Sequence, residues 1–72
     1  MSIAKTHGPL IEAGEIDGFT YEVRGNPAPV AYVYREVSGK LYHKETQMGG
    51  MTAGGVVRML ISEMPKAAKE AV

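Results

Sequence analysis

The two histidines are the side chains in this sequence best suited to metal binding or to acid–base chemistry near neutral pH. His7 and His43 show no metal-binding spacing, and Glu45 would have to complete a site with them. A stable site needs three or four converging ligands. We therefore interpret both histidines as solvated, and we expect neither a metal ion nor another cofactor.

Carboxylates and hydroxyl groups offer no better arrangement for catalysis. Glu12 and Glu15 alternate onto opposite faces of a predicted strand, and Asp17 is used by a turn. Ser38 lies in another turn and Ser62 on the polar side of a predicted helix, and no base is placed beside either hydroxyl. We therefore expect no catalytic residues and no enzymatic activity.

Three tyrosines form the most distinctive group in the sequence. Alternation along a predicted hairpin places Tyr32, Tyr34 and Tyr42 on one face, with Lys40 and Lys44 nearby. If exposed, these rings and charges form a platform for a partner's side chains or for nucleic-acid bases. If buried, the rings lie under a helix with their hydroxyl groups at the rim. We favour the buried arrangement, although a shift of one residue in the strand pairing reverses it.

The opposite face of the same hairpin is the alternative binding surface. It carries Val33 and Leu41 together with Arg35 and His43. Burying a charge such as that of Arg35 under a helix is costly, and we therefore place this face outward.

The first predicted hairpin has the clearest turn signal in the sequence. Strands at Leu10 to Ile16 and Phe19 to Arg24 flank Asp17-Gly18, a dipeptide typical of two-residue turns because both central residues need positive φ. An aromatic ring can cover the bare backbone of a glycine in the facing strand. The predicted pairs are Ile16 with Phe19, Glu15 with Thr20 and Gly14 with Tyr21.

The second hairpin joins a strand at Val30 to Val37 with one at Leu41 to Met48. Residues 36–40 suit a type I turn followed by a glycine bulge. Opposite charges and paired rings across the strands favour this register. The predicted pairs are Glu36 with Lys40, Tyr34 with Tyr42 and Tyr32 with Lys44.

The stretch from Thr52 to Met64 has the period of an amphipathic helix. Thr52 can cap this helix by accepting a hydrogen bond from a free backbone N–H, and Pro65 ends it. We predict a short frayed helical tail over residues 65–72 and a flexible arm over residues 1–8. The apolar side of the helix comprises Val56, Val57, Leu60, Ile61 and Met64.

Together the elements predict one small α+β domain over residues 1–72: a four-stranded antiparallel meander sheet with one C-terminal helix packed on one face. A helix of about three turns spans roughly 20 Å, so it covers one side of the sheet. The other side and both edge strands stay open, and such surfaces commonly bind another chain, including a second copy in a homodimer.

Composition excludes several functional classes. Eight basic and eight acidic residues balance, which gives no bulk attraction to nucleic acid or to anionic membranes. The chain has no cysteine, so disulfides and thiolate metal sites are excluded. No apolar run approaches the roughly 20 residues that span a bilayer, and residues 1–6 lack a signal-peptide core. We expect a soluble, cytoplasmic protein.

The order of three strands and a helix after a glycine-bearing turn is similar to the C-terminal part of double-stranded-RNA-binding domains. That family opens its last helix with a lysine-rich sequence, whereas this chain has Met51-Thr52-Ala53-Gly54-Gly55. In size and composition the chain also resembles the small accessory proteins that phages and mobile elements encode to block host machinery. We assign no family on these grounds.

The sequence therefore predicts a non-enzymatic protein that binds another protein through the open sheet face or an edge strand, as an inhibitor or adaptor. The alternative is a weak nucleic-acid-binding module that uses the tyrosine and lysine face. Salt dependence separates the two, because phosphate contacts weaken steeply with added salt.

Overall fold

The computed structural model describes residues 8–25 and 28–70 and shows one four-stranded antiparallel sheet with a helix packed against it. Neighbouring strands in the sheet are also neighbours along the chain. The predicted α+β meander is confirmed. In chain order the elements are strands β1 (Leu10–Ile16), β2 (Phe19–Gly25), β3 (Pro29–Val37) and β4 (Lys40–Gln47), then helices α1 (Ala53–Ser62) and α2 (Lys66–Lys69).

Both hairpins close with a two-residue turn. Asp17 and Gly18 have φ of 51° and 83°, and Ser38 and Gly39 have φ of 51° and 81°. Positive φ at both central residues belongs to the turn whose twist matches that of the flanking strands. The predicted pairing of β1 with β2 is confirmed for all three pairs expected from the sequence.

The predicted pairing of β3 with β4 is wrong by one residue. Ser38 adopts the left-handed conformation together with the glycine that follows it, so the loop has two residues instead of a longer turn with a bulge. Neighbouring residues of a strand point to opposite faces, and the shift therefore changes which side chains share a face. The observed pairs include Glu36 with Leu41, Arg35 with Tyr42 and Val33 with Lys44.

The hydrophobic core lies between helix α1 and one side of the sheet, which we call the helix face; the other side is the open face. Helix α1 contacts β2, β3 and β4. The predicted cap is present, since the Thr52 hydroxyl accepts a hydrogen bond from the Gly55 N–H at 3.2 Å. The predicted apolar side of the helix is buried as expected. The core comprises Phe19, Val23, Ala31, Val33, Val56, Val57, Leu60, Ile61, Met64 and Ala68.

Helix α2 lies within the tail predicted at residues 65–72. Ala68 is fully buried, and its carbonyl accepts a hydrogen bond from Arg35 Nη1 at 3.1 Å. The arm predicted at residues 1–8 lies outside the described residues except for Gly8, and residues 71–72 lie outside them as well. Within the described part of the chain, no helix is long and apolar enough to cross a membrane.

Candidate functional site

The structure separates the three tyrosines of the predicted platform. Tyr42, Lys40 and Lys44 occupy alternate positions of β4 on the helix face, and Tyr42 packs against the core. The Lys40 ammonium lies 5.1 Å from the centre of the Tyr42 ring. Tyr32 and Tyr34 lie on the open face instead. The expected common face is therefore wrong, and its cause is the one-residue shift in the second hairpin.

The alternative binding surface is divided in the same way. Val33 and Arg35 belong to the helix face, whereas Leu41 and His43 belong to the open face. Arg35 reaches the rim of the core, where its guanidinium lies 5.2 Å from the centre of the Phe19 ring. This contact and the hydrogen bond to α2 explain how a charged residue is accommodated on the covered side.

A polar network occupies the open face. Glu22 accepts a hydrogen bond from the Tyr34 hydroxyl at 3.0 Å and another from Arg24 Nε at 2.9 Å. Arg24 also donates from Nη1 to the carbonyl of Gly8 at 3.0 Å. Tyr32 is only 2% exposed. The apolar surface that the sequence leaves on this side is thus largely shielded by the chain's own polar side chains.

The environment of both phenols on this face favours their neutral form. Burial, and then the hydrogen bond to Glu22, raises the pKa of Tyr34. Burial, and then the negative charge of Glu45, raises the pKa of Tyr32.

A cavity of about 370 Å³ opens at the end of the sheet where both hairpin turns lie. Two of its polar side chains are already engaged, Tyr34 by Glu22 and Arg35 by the carbonyl of Ala68. Few polar groups are left to orient a ligand, and we assign none to it. The cavity is lined by Gly18, Thr20, Tyr34, Arg35, Glu36 and Leu41.

The structure gives no support, within the described residues, to a metal site that includes His43 and Glu45. Within residues 8–25 and 28–70, no three His, Asp or Glu side chains are grouped closely enough to hold a metal ion. His43 is exposed on the open face, and His7 lies outside the described residues.

Strand β1 is the least covered element of the sheet. Its first six residues are exposed, and only the last, Ile16, packs against the core. The exposed fraction is 52% for Leu10 and 59% for Ile11. The pairing with β2 shifts register between Leu10 and Glu12, which is how two consecutive apolar residues are presented at the start of the strand.

Tyr21 holds the middle of β1 against the sheet. Its ring lies on Gly14, where an added Cβ would come within 2.9 Å of the ring atom Cε2. Its hydroxyl donates a hydrogen bond to Glu12 Oε2 at 2.8 Å, and this bond raises the pKa of Tyr21. The predicted covering of Gly14 by a ring is confirmed, and it keeps an otherwise exposed strand in a defined position.

Among the described residues, no strand pairs with the outer edge of β1, so backbone donors on that edge face away from the sheet. Because the turn has two residues, Ile16 and Phe19 form a hydrogen-bonded pair, and such pairs alternate along the ladder. The N–H groups of Ala13 and Glu15 therefore point away from β2. The same alternation from the second turn directs the N–H of His43 away from β3.

Strand β4 forms the other edge of the sheet and is better protected. Its sequence carries Lys40, Lys44 and Glu45, and such side chains on an edge discourage pairing with strands that do not complement their charge. Its Tyr42 side chain packs against the core that α1 covers. The two edges therefore differ in charge, in apolar exposure and in their distance from the helix.

Sequence reasoning identified both open edges but named no residue of β1 as a binding residue. The signal was present in the adjacent pair Leu10 and Ile11, because consecutive apolar residues cannot both point to one face of a regular strand. This pair indicates a binding edge only when it is also known that α1 leaves β1 uncovered. No protein-family model, curated protein or solved structure matches the chain.

Proposed function

We propose that this protein binds another protein by strand addition, in which an extended segment of the partner pairs with the outer edge of β1. The observation that carries the proposal is the exposure of β1: six of its seven residues are exposed, while its outward N–H and C=O groups can bind only atoms outside the described fold. Main-chain hydrogen bonds supply affinity in this mode of recognition, and side chains supply specificity.

Leu10 and Ile11 are the expected apolar anchors for the partner. Both are more than half exposed, and they lie beside the outward-facing backbone. Glu12 and Glu15 add negative charge on either face of the same strand, which favours a partner segment with basic residues. A segment held in this way is withdrawn from its other contacts. An inhibitor or adaptor role in the cytoplasm, of the kind that phages and mobile elements encode, is part of this proposal.

The open face and nucleic acid are weaker candidates. On the open face, the Tyr34 hydroxyl is hydrogen-bonded to Glu22, and Tyr32 is buried, so these two tyrosines are poorly placed to contact a partner. Lys40 and Lys44 lie on the opposite side of the sheet from these tyrosines. A basic and aromatic platform for nucleic-acid bases needs both on one surface.

A pair of proline variants tests the proposal. Ala13→Pro removes an outward N–H from β1 and leaves the hydrogen bonds to β2, since proline is tolerated on the outer side of an edge strand. His43→Pro makes the same change on β4 and serves as the matched control. The tagged variants and the wild-type protein are compared as baits in lysate, with circular dichroism to check that each remains folded.

We expect proteins captured by the wild-type bait to be lost with Ala13→Pro and kept with His43→Pro. A photo-crosslinker placed at Leu10 should join the same protein, whereas one placed at Thr20, on the open face of the interior strand β2, should not. Capture that persists with Ala13→Pro, or crosslinking only from the open face, contradicts strand addition at β1. Capture that falls steeply with added salt and is removed by nuclease indicates the nucleic-acid alternative instead.

A further inference from the structure

The geometry points to a specific partner, and we propose that the strand paired with β1 is β4 of a second copy of this chain. The two copies then share one continuous sheet. This inference rests on the proposed strand addition at β1 and names what is added there. It uses only the two edges of the molecule, which face in opposite directions from the same sheet.

The topology permits this pairing without turning one copy over. Strands β1 and β3 run in one direction, and β2 and β4 run in the other. When two copies lie side by side in the same orientation, β4 of one copy is therefore antiparallel to β1 of the next. Helix α1 lies on the same side of the shared sheet in both copies, and because it packs on β2, β3 and β4, the uncovered β1 lies between the two helices.

One register satisfies the backbone and the side-chain faces together. Ala13 of one copy lies opposite His43 of the second copy, and both carry outward-facing N–H groups, so they can form a hydrogen-bonded antiparallel pair. This alignment places residues 12–16 opposite residues 40–44, which uses the regular part of β1 after its register shift. Residues of the helix face then meet residues of the helix face, as an extended sheet requires.

The charges favour β1 with β4 over either strand with itself. In the same register, Glu12 lies opposite Lys44 on the helix face, which places opposite charges across the new ladder. β1 carries Glu12 and Glu15 and no basic residue, so pairing two copies of β1 brings acidic strands together. Across β4 the lysines outnumber the single glutamate, and pairing two copies of β4 brings lysines together.

The balanced charge of the chain also permits association between copies. The chain carries eight basic and eight acidic residues, so long-range repulsion between copies is weak. A contact between two different edges leaves one free edge at each end of the assembly, and such heterologous contacts extend unless they close into a ring. The expected behaviour is a mass that rises with concentration through a series of oligomers.

Light scattering after size-exclusion chromatography, over a range of loading concentrations, tests this inference. The wild-type protein should exceed its single-chain mass of 7.7 kDa increasingly as concentration rises. Ala13→Pro and His43→Pro should each remain at the single-chain mass, because each blocks one of the two edges. In an equal mixture of the two variants, the Ala13→Pro protein supplies an intact β4 and the His43→Pro protein supplies an intact β1. The mixture should reach twice the single-chain mass and stop there.

A charge exchange keeps the test valid if a proline variant fails to fold. Glu12→Lys or Lys44→Glu alone should weaken association about tenfold, because each replaces an attraction with a repulsion across the strands. The double variant Glu12→Lys with Lys44→Glu restores opposite charges at every contact and should recover the wild-type association.

Two results overturn the inference: a wild-type protein that stays at the single-chain mass up to its solubility limit, or a proline mixture that does not associate although both variants are folded. If the wild-type protein is monomeric while Ala13→Pro alone abolishes capture of a foreign protein, strand addition stands and the second copy is excluded as the partner. If capture survives Ala13→Pro, the proposed function itself fails.

Discussion

The two edges of the sheet differ more than their positions suggest. Strand β4 carries several charged residues, yet Tyr42 reaches the core beneath helix α1. Strand β1 begins with two apolar residues, yet almost all of it is exposed. Apolar content therefore does not decide which edge is covered. The placement of α1 over β2, β3 and β4 decides it, and the strand left outside is the one suited to a partner.

The largest expected effect compares the covered region with the uncovered edge. Leu60 is 3% exposed in the core, and Leu60→Ala should lower the free energy of unfolding by about 2–5 kcal/mol. Leu10→Ala removes the same atoms from an exposed site and should change it by less than about 0.5 kcal/mol. Urea denaturation measures both values. Similar losses at the two sites would show that β1 is packed after all.

A smaller effect is expected on the open face, next to β4. Tyr34→Phe removes the hydroxyl that donates to Glu22 and should cost about 1 kcal/mol of stability. Tyr42→Phe is the control, because the contact described for Tyr42 is made by its ring. Partner capture should be unchanged in Tyr34→Phe if binding belongs to β1, and lost capture with intact stability would return the open face as the binding surface.

The pH dependence of stability gives a second measure of what Tyr34 and Tyr32 contribute on the open face. The fold raises the pKa of Tyr32 and of Tyr34 above the ordinary value of 10.0, so it favours the neutral phenols. Their contribution is complete below pH 10.0 and is lost as the pH rises through the higher values of the folded state. The free energy of unfolding, followed by denaturant titration at several alkaline pH values, should therefore fall above pH 10. Tyr34→Phe should fall less steeply, and an equal slope would mean that Tyr34 does not contribute.

Short sequence patterns predicted much of this fold. The features that they did not predict depend on contacts between residues far apart in the sequence. Asp17-Gly18 determined the first register because both residues accept positive φ, and Thr52 marked the start of α1. Ser38 was ambiguous, since it suits both a longer turn and the two-residue turn that forms, and that choice separated Tyr42 from Tyr32 and Tyr34. The network that shields the open face joins residues from different strands, which no local pattern reveals.

Amide hydrogen exchange, resolved residue by residue, tests the central claim most directly. In the dilute protein, the N–H groups of Ala13 and Glu15 should exchange rapidly, because they point away from β2. They should become protected when a partner binds or, for a second copy, when concentration rises and the N–H of His43 becomes protected with them. Slow exchange of Ala13 and Glu15 in the dilute monomer, or no change on binding, would contradict the assignment of β1 as the binding edge.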